Sequence, residues 1–308
     1  MRVIDIERIN QKMRDEVRFI MECEEVYHNN INKAAVEILA QMDTKRFVAL
    51  TGPSGSGKTT TAMRLKAYIE NLGVEVISLS MDNFFISFDE LPPEADDFES
   101  PYCVDANLLF ESIESLSLGK KVSVPWYDFK TSKRGGYRDV QGSRNAIIII
   151  EGIHMLNPLI FDKIRDKSVG MYIAPRTRII TNDDRIVKPE QIRVARRLIR
   201  DYNTRGNSLQ KTVLRAETVN NGEKRHIAPY KHNASIHIDT FHDYEPCILA
   251  KYLKEIPEFH EELTPEFMEE HGLTALMTVV NSIKPLTTNF VPKDSLIREF
   301  VGGSKFEY

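Results

Sequence analysis

The stretch "FVALTGPSGSGKTTTAMRLKAYIE", residues 47–70, joins a short apolar run to a helical pattern through a loop with three glycines. The loop follows the spacing G-x-x-x-x-G-K-[ST] at Gly52, Gly57, Lys58 and Thr59. In this motif backbone N–H groups and the helix dipole hold a phosphate chain. A glycine-rich turn that only caps a helix is the alternative, but the apolar run before the loop and the helical pattern after it favour the first interpretation. The stretch therefore predicts a loop that binds the phosphates of a nucleotide.

The motif also assigns roles to single residues of this phosphate loop, residues 52–59. The Lys58 ammonium is expected to reach the β- and γ-phosphates, and the Thr59 hydroxyl is expected to bind Mg²⁺. ATP and Mg²⁺ are therefore the expected cofactors. The loop residues expected to hold the nucleotide, with the residue that follows them, are Gly52, Ser54, Gly55, Ser56, Gly57, Lys58, Thr59 and Thr60.

Four more apolar runs are typical of buried strands. They are "VEVISLSM" (residues 74–81), "AIIII" (146–150), "VGMYIA" (169–174) and "ASIHID" (234–239). Helical patterns lie between most of them, which predicts an α/β fold whose five-stranded parallel sheet is covered by helices on both faces. Ligands of such sheets bind beyond the carboxyl ends of the strands, so chemistry is expected from the residues that follow each run.

Two carboxylates stand at such positions. Asp82 follows the run at residues 74–81 and is a candidate general base for a hydroxyl acceptor, or else caps the next turn. Glu151 follows the run at residues 146–150, as in a Walker-B element, and is a candidate ligand of Mg²⁺ or its waters. His154 lies close by and is interpreted as a structural histidine.

The segment "RVARRLIRDYNTRG", residues 193–206, is rich in arginine. Arg193, Arg197 and Arg200 are spaced by four and three residues, so they share one helical face. Such a face is often simply solvated. Next to a phosphate loop it also suits a lid that lowers guanidinium groups onto a triphosphate and excludes water.

The composition excludes several other classes. The chain has 41 Lys and Arg against 45 Asp and Glu, a formal charge of -4, which argues against a main role in wrapping nucleic acid. Cys23, Cys103 and Cys247 are far apart and lack metal-site spacing, which fits a reducing compartment. The charged start is unlike a signal peptide, and no apolar run is long enough to span a bilayer. We therefore expect a cytoplasmic protein without a membrane segment.

The motifs together resemble the uridine kinase and phosphoribulokinase family of P-loop kinases. The resemblance covers roughly residues 47–239 and rests on the phosphate loop and on "SMDNFF", "DFESPYCVDANLL", "GKKVSVPWYDFKTSKR", "IIIIEGIHMLNP" and "RRLIRDYNTRG". A closer likeness is to the kinase module of bacterial uridine-kinase-like proteins that carry an N-terminal TGS-type domain. We expect no such domain here, because the chain starts just upstream of the kinase region.

The resemblance implies roles for individual residues. Asp82 would orient and deprotonate the acceptor hydroxyl, and Glu151 with Thr59 would serve the metal. The predicted catalytic residues are Asp82, Lys58, Arg197 and Arg200, with Arg205 as a further lid residue that binds the nucleotide. The predicted acceptor site consists of Asp82, Phe85, Glu99, Tyr127, Phe129 and Arg134.

Some positions depart from the plain uridine kinases. Those enzymes usually place a Tyr at Phe85, a His near Ser132 and a second Arg at Asn207, and their "FD" pair ends here in Glu99. Buried hydroxyl, imidazole and guanidinium groups discriminate strongly between acceptors. Three interpretations therefore stay open: a uridine or cytidine kinase, a kinase of a sugar, sugar phosphate or other polyol, and a regulatory switch that binds ATP.

Apolar residues at steps of three and four at the start of the chain predict a pair of amphipathic helices or one broken helix. They run from Ile6 to Ile20 and resume at Ile31, after Asn29 and Asn30. A packing element is favoured over a partner-binding coiled coil. We expect an N-terminal helical extension (1–45), a P-loop kinase domain (46–245) with its lid at about 183–210, and a C-terminal helical extension (246–308) packed on it. The resemblance implies a small-molecule substrate and allows a homo-oligomer.

Overall fold

The computed structural model describes residues 2–95, 97, 99–128 and 131–307. Its strands are β1 (Val3–Asp5), β2 (Phe47–Thr51), β3 (Val76–Ser80), β4 (Val122–Asp128), β5 (Lys133–Val140), β6 (Ile147–Glu151), β7 (Ser168–Ala174), β8 (Arg178–Ile180), β9 (Ile186–Val187) and β10 (Ile236–Asp239). Its helices are α1 (Ile6–Lys12), α2 (Glu16–Leu39), α3 (Lys58–Asn71), α4 (Ala106–Ser117), α5 (Pro158–Ile164), α6 (Pro189–Arg205), α7 (Leu209–His226), α8 (Glu245–Lys254), α9 (Phe259–Glu262), α10 (Pro265–Glu270), α11 (Thr274–Ser282) and α12 (Arg298–Val301).

The central sheet has five parallel strands in the order β10-β7-β2-β6-β3. Each of them contains part of one apolar run that the sequence singled out, and residues 147–150 are at most 1% exposed because helices cover both faces. The predicted α/β fold is therefore confirmed. Since β2 is the middle strand, the loop that follows it leaves the centre of the sheet, with the ends of β6 and β7 on either side.

The N-terminal segment forms two helices and one short strand. The helix break lies at Met13–Asp15, where Asp15 caps α2 by accepting from the Arg18 N–H, and α2 continues through the asparagine pair. Val17 is 45% exposed although it fits the apolar pattern. β1 pairs in parallel with β8, which the sequence pattern did not predict.

The first and last segments share one apolar core with the sheet. One buried cluster joins side chains of α1, α2, α3, α6, α8 and α11 to one face of the sheet, and a second cluster lies on the other face with α4 and α5. A buried carboxylate, Glu24 of α2, accepts hydrogen bonds from Tyr244 (2.6 Å), Ser295 (2.5 Å) and Arg64 (3.2 Å). The side chains of the first and last segments therefore pack into the same core as the sheet, and the boundaries at residues 45/46 and 245/246 stay a prediction.

Candidate active site

The phosphate loop fills the turn between β2 and α3. Gly55 and Gly57 have φ angles of 76° and 86°, a region that glycine adopts without strain. A Cβ at Gly52 would lie 2.2 Å from the Ile173 carbonyl oxygen. The Ser56 hydroxyl is buried and has no hydrogen-bond partner in the described part of the chain. The curled backbone, the start of α3 and this unsatisfied hydroxyl fit a phosphate chain.

Lys58 is the cation of the phosphate loop whose charge acts on the carboxyl groups around it. Its ammonium approaches the Pro53 carbonyl oxygen at 3.5 Å and forms no ion pair within the described residues. Burial raises the pKa of three carboxyl groups nearby, those of Asp82, Glu99 and Glu151, and the positive charge of Lys58 opposes each rise. The lysine therefore faces the groups that were expected to act on the acceptor and on the metal.

Asp82 and Glu151 come from neighbouring strands. Asp82 stands in the one-turn 3₁₀ helix Met81–Phe84 after β3, and Glu151 ends β6 directly opposite Ser80. Burial raises the pKa of the Asp82 carboxyl, although Lys58 opposes the shift. Burial and the nearby Asp82 raise the pKa of Glu151 to about 7. The Asp82 carboxylate accepts no hydrogen bond from any described residue, so the capping alternative has no support here.

The donor set around Thr59 fits a magnesium ion. The Thr59 hydroxyl lies 3.5 Å from the Glu151 carboxylate. The buried Glu151 and the half-buried Asp82 interact with the same lysine. The two carboxylates favour the binding of a further cation, since each raises the cost of charging the other. Residues 2–95, 97, 99–128 and 131–307 contain no cluster of three or more His, Cys, Asp or Glu side chains suited to a metal. Mg²⁺ needs none, because it usually keeps waters and takes further ligands from substrate phosphates.

The predicted acceptor residues meet beside these carboxylates. The rings of Phe85 and Tyr127 are 5.6 Å apart at 46°. Burial raises the pKa of Glu99 to about 7, while the charges of Arg197 and Lys58 oppose the shift, and its Oε2 has no partner among the described residues. Phe129 lies outside the described residues, so its predicted role stays a prediction.

Arg134 contacts protein groups at this site. Its guanidinium donates to the Phe85 carbonyl oxygen (3.1 Å) and to the Asp105 carboxylate (3.0 Å). Ser132, with a φ angle of 55°, lies two residues earlier and hydrogen-bonds Tyr127. Arg134 thus fixes the backbone that carries Phe85. Its predicted contact with an acceptor stays a prediction.

The arginine-rich helix α6 packs directly on the phosphate loop. A Cβ at Gly55 would lie 3.4 Å from Cγ of Arg197. Arg193 and Arg197 are each 5% exposed, so the interpretation of their face as a solvated one is wrong. Burial lowers the pKa of Arg197 to about 10, and this residue has no ion pair within the described chain. Arg197 therefore presents a guanidinium beside the loop that no carboxylate of the described residues contacts directly, although the charges of Asp201 and Glu99 act on it.

The other arginines of α6 have partners. Arg193 is paired with Glu223, and Arg200 donates two hydrogen bonds to Asp201 at 2.8 and 2.9 Å. Arg205 lies 3.4 Å from the same carboxylate. The charges of Arg205 and Arg200 also oppose the rise that burial causes in the pKa of Asp82. Arg200 and Arg205 can therefore contribute positive charge to the site while their side chains stay paired with Asp201.

Sequence reasoning missed the part that Arg196 plays in building the loop. This side chain is fully buried and donates to the carbonyl oxygens of Gly55 (2.9 Å) and Thr240 (2.8 Å) and to the Glu245 carboxylate (2.9 Å). Its partners stand 44 to 141 positions away in the chain, so no local pattern reveals them. Arg196 ties the phosphate loop to the ends of β10 and α8.

His154 was interpreted as structural, and its surroundings agree with a neutral ring. It is fully buried, and burial lowers its pKa to about 3. The ring packs against His226 with centroids 6.3 Å apart. Neither ring nitrogen has a hydrogen-bond partner in the described part of the chain.

Replacing Glu99 by Gln is expected to change how stability depends on pH. Below about pH 4.5 the carboxyl is protonated in the folded and unfolded states alike. As the pH rises toward the folded pKa of about 7, the unfolded chain loses the proton first, so the nucleotide-free wild type loses stability. We expect the Glu99→Gln protein to be more stable than wild type by about 2 kcal/mol at pH 8, and the difference to shrink by pH 5.

Urea unfolding at the two pH values measures this effect. The exposed Glu94 lies five residues earlier in the same loop, and Glu94→Gln serves as the matched control with no such gain. The same pH dependence for wild type and Glu99→Gln would show that Glu99 is not held in a raised-pKa state.

A search with family models finds one match that covers most of the chain. The model described as "Phosphoribulokinase / Uridine kinase family" matches residues 47–245. This range begins with β2 and ends just after β10, so it contains the central sheet, the phosphate loop and α6. Within the described residues, no helix is both long and apolar enough to cross a membrane.

Three curated relatives illustrate the similarity. Uridine-cytidine kinase A of Dictyostelium discoideum is 31% identical over 267 residues, 82% of this chain and 50% of that protein. Inorganic pyrophosphatase TTM2 of Arabidopsis thaliana is 36% identical over 40% of this chain and 17% of that protein. Uridine kinase of Brevibacillus brevis is 30% identical over 54% of this chain and 71% of that protein.

The chain thus spans half of the Dictyostelium protein and less than a fifth of the Arabidopsis one. The Brevibacillus protein is covered over most of its length. The range that the family model matches includes the phosphate loop, Asp82 and Glu151. The chain belongs to the phosphoribulokinase / uridine kinase family.

Proposed function

We propose that this chain is a kinase that transfers the γ-phosphoryl group of ATP to a primary hydroxyl of a small molecule. The observation that carries the proposal is the position of Asp82, a half-buried carboxylate at the carboxyl edge of the sheet whose charge interacts with that of Lys58 in the phosphate loop. A protein that only binds and releases a nucleotide does not need such a base. Membership of the family supports the same reaction.

Each charged residue has a part in the proposed transfer. Asp82 orients the acceptor hydroxyl and takes its proton as the new oxygen–phosphorus bond forms and the bond to ADP breaks. A raised pKa strengthens a carboxylate as a base, which suits this role. Lys58 and Arg197 stabilise the charge that spreads over the transferred group. Thr59 and Glu151 would hold Mg²⁺, whose charge neutralises the phosphates.

We propose the 5′-hydroxyl of uridine or cytidine as the acceptor. The tilted ring pair of Phe85 and Tyr127 offers an apolar wall to a flat base, and aromatic faces gain most from such stacking. Glu99 offers a sugar hydroxyl a carboxylate oxygen that has no hydrogen-bond partner among the described residues. Relatives named uridine kinase support the same acceptor class.

A kinase of a sugar, sugar phosphate or other polyol is the second candidate. It is favoured by Phe85, Ser132 and Asn207, where the groups that plain uridine kinases offer to base or sugar are missing. An ATP-binding switch is the third candidate, and the contacts of the terminal segments with the loop are consistent with it. Only the two kinase candidates use Asp82 as a base.

A panel of acceptors separates the three candidates. With MgATP, we expect ADP release to rise at least about tenfold over the rate without acceptor on addition of uridine or cytidine. Tyr127→Leu should raise KM for the nucleoside by about tenfold and leave KM for ATP unchanged, since stacking is lost only at the acceptor. Turnover with a sugar and none with nucleosides would overturn the nucleoside proposal. A lack of turnover with every acceptor, together with intact ATP binding, would favour the switch.

A further inference from the structure

The end of the chain lies on the phosphate loop. We call residues 295–301 the C-terminal strap. A Cβ at Gly57 would lie 2.3 Å from Leu296 Cδ1, so the leucine rests directly on the loop backbone. The Phe300 ring packs under the Arg196 guanidinium, with 5.0 Å between the guanidinium carbon and the ring centroid. The strap is therefore a packed part of the site and touches both the loop and the arginine that anchors it.

A carboxylate of the strap caps the helix that follows the loop. Glu299 accepts a hydrogen bond of 2.6 Å from the Thr60 hydroxyl and a longer one of 3.4 Å from the Thr60 N–H. Thr60 is the third residue of α3. Its N–H therefore belongs to the first turn of the helix, where an anion is stabilised by the helix dipole.

The same donors are those that a phosphate loop offers to a nucleotide. The backbone N–H groups at the end of the loop and the start of its helix cradle the α- and β-phosphates. A carboxylate and a phosphate cannot both occupy the space next to the N–H and hydroxyl of Thr60, because they would overlap. Two anions at the start of one helix also repel each other. On the proposed function, nucleotide binding has to displace Glu299.

We infer that the C-terminal strap is an intramolecular competitor of the nucleotide, with Glu299 at the position of a phosphate oxygen. The strap lowers the apparent affinity for ATP, because only the fraction of molecules with Glu299 displaced can bind. ATP binding in turn displaces the Glu299 carboxylate from Thr60 and weakens the hold of the strap at residues 298–301. The inference rests on the proposed function, in that the loop binds a nucleotide.

The two ends of the strap differ in how firmly the rest of the protein holds them. Ser295 is anchored by Glu24 and Tyr244 inside the core. Glu299 is half-buried, and its carboxylate is hydrogen-bonded to Thr60. Glycines with positive φ angles of 88° and 71°, Gly302 and Gly303, follow the strap. Displacement can therefore begin at Glu299 while residue 295 stays in place.

Neutralising Glu299 tests the competition. With Glu299→Gln, we expect the Kd of ATP measured by calorimetry to fall roughly tenfold, since a charge-assisted hydrogen bond no longer competes. Glu307→Gln removes the same charge from an exposed position in the same segment and should leave the Kd unchanged. Glu299→Ala, which cannot cap Thr60 at all, should tighten binding at least as much.

Amide hydrogen exchange gives a readout that does not depend on activity. In the wild type, the amides of residues 298–301 should exchange faster when ATP is bound. In the Glu299→Gln protein the same amides should exchange fast even when no ATP is bound. If ATP bound wild type and variants with equal affinity and these amides did not respond, the strap inference would be wrong and the kinase proposal would stand. If none of the proteins bound ATP, both proposals would be overturned.

Discussion

An Asp82→Asn protein is expected to lose ATP-dependent phosphorylation of its acceptor by about three orders of magnitude while it still binds ATP. The amide keeps the shape of the side chain but cannot accept the proton of the attacking hydroxyl. Lys58 then faces one carboxylate fewer, so its attraction for the triphosphate is not weakened. Steady-state ADP release with acceptor measures the first effect, and calorimetry with ATP measures the second.

Asp89→Asn is the control for this experiment. Asp89 lies seven residues further along the chain, is 61% exposed and pairs with Lys133, so it should change activity less than about threefold. Full acceptor phosphorylation by Asp82→Asn would remove the proposed base. A parallel loss of ATP affinity would instead make Asp82 a structural residue of the loop.

Replacing Arg196 by Met is expected to have the largest effect on stability, a loss of about 3–5 kcal/mol. The arginine and Glu245 are both fully buried, and they form an ion pair that also satisfies the Gly55 and Thr240 carbonyl oxygens. Methionine fills similar space but leaves the Glu245 charge without a partner, which costs more than the ion pair contributes. Urea unfolding of the nucleotide-free proteins measures the difference.

Two further variants test whether the unpaired charge of Glu245 causes that loss of stability. In the double variant Arg196→Met/Glu245→Gln no buried charge is left alone, so it should regain a large part of the lost stability. Arg14→Met, at an exposed position, should change stability by less than about 0.5 kcal/mol. Equal unfolding midpoints for wild type and Arg196→Met would contradict the role of Arg196 as the anchor of the loop.

Local sequence signals were sufficient for the fold and for much of the candidate site. Five apolar runs marked the five strands, because a strand that is buried on both faces has no polar position to interrupt the pattern. Asp82 and Glu151 were found because each directly follows such a run, and the carboxyl ends of parallel strands meet at one edge of the sheet. These signals lie within a few residues of the groups they predict.

The features that were missed depend on contacts between distant parts of the chain. Glu299 reaches Thr60 across 239 positions, and Arg196 reaches Gly55 across 141. Neither residue stands in a pattern that differs from an ordinary charged helix. The break at Met13–Asp15 was also missed, because the apolar spacing continues through it and only the capping aspartate marks it. The hydrogen bond of Arg134 to Asp105 depends likewise on a residue 29 positions away, so the motif that contains Arg134 does not reveal it.

A crystal structure of the protein with a non-hydrolysable ATP analogue, Mg²⁺ and uridine measures the decisive distance. The account predicts that the 5′-oxygen lies within about 3.2 Å of the Asp82 carboxylate and in line with the terminal phosphate above Lys58. A complex in which the analogue fills the loop while Asp82 faces only protein atoms, with no acceptor beside it, would contradict the proposed phosphoryl transfer.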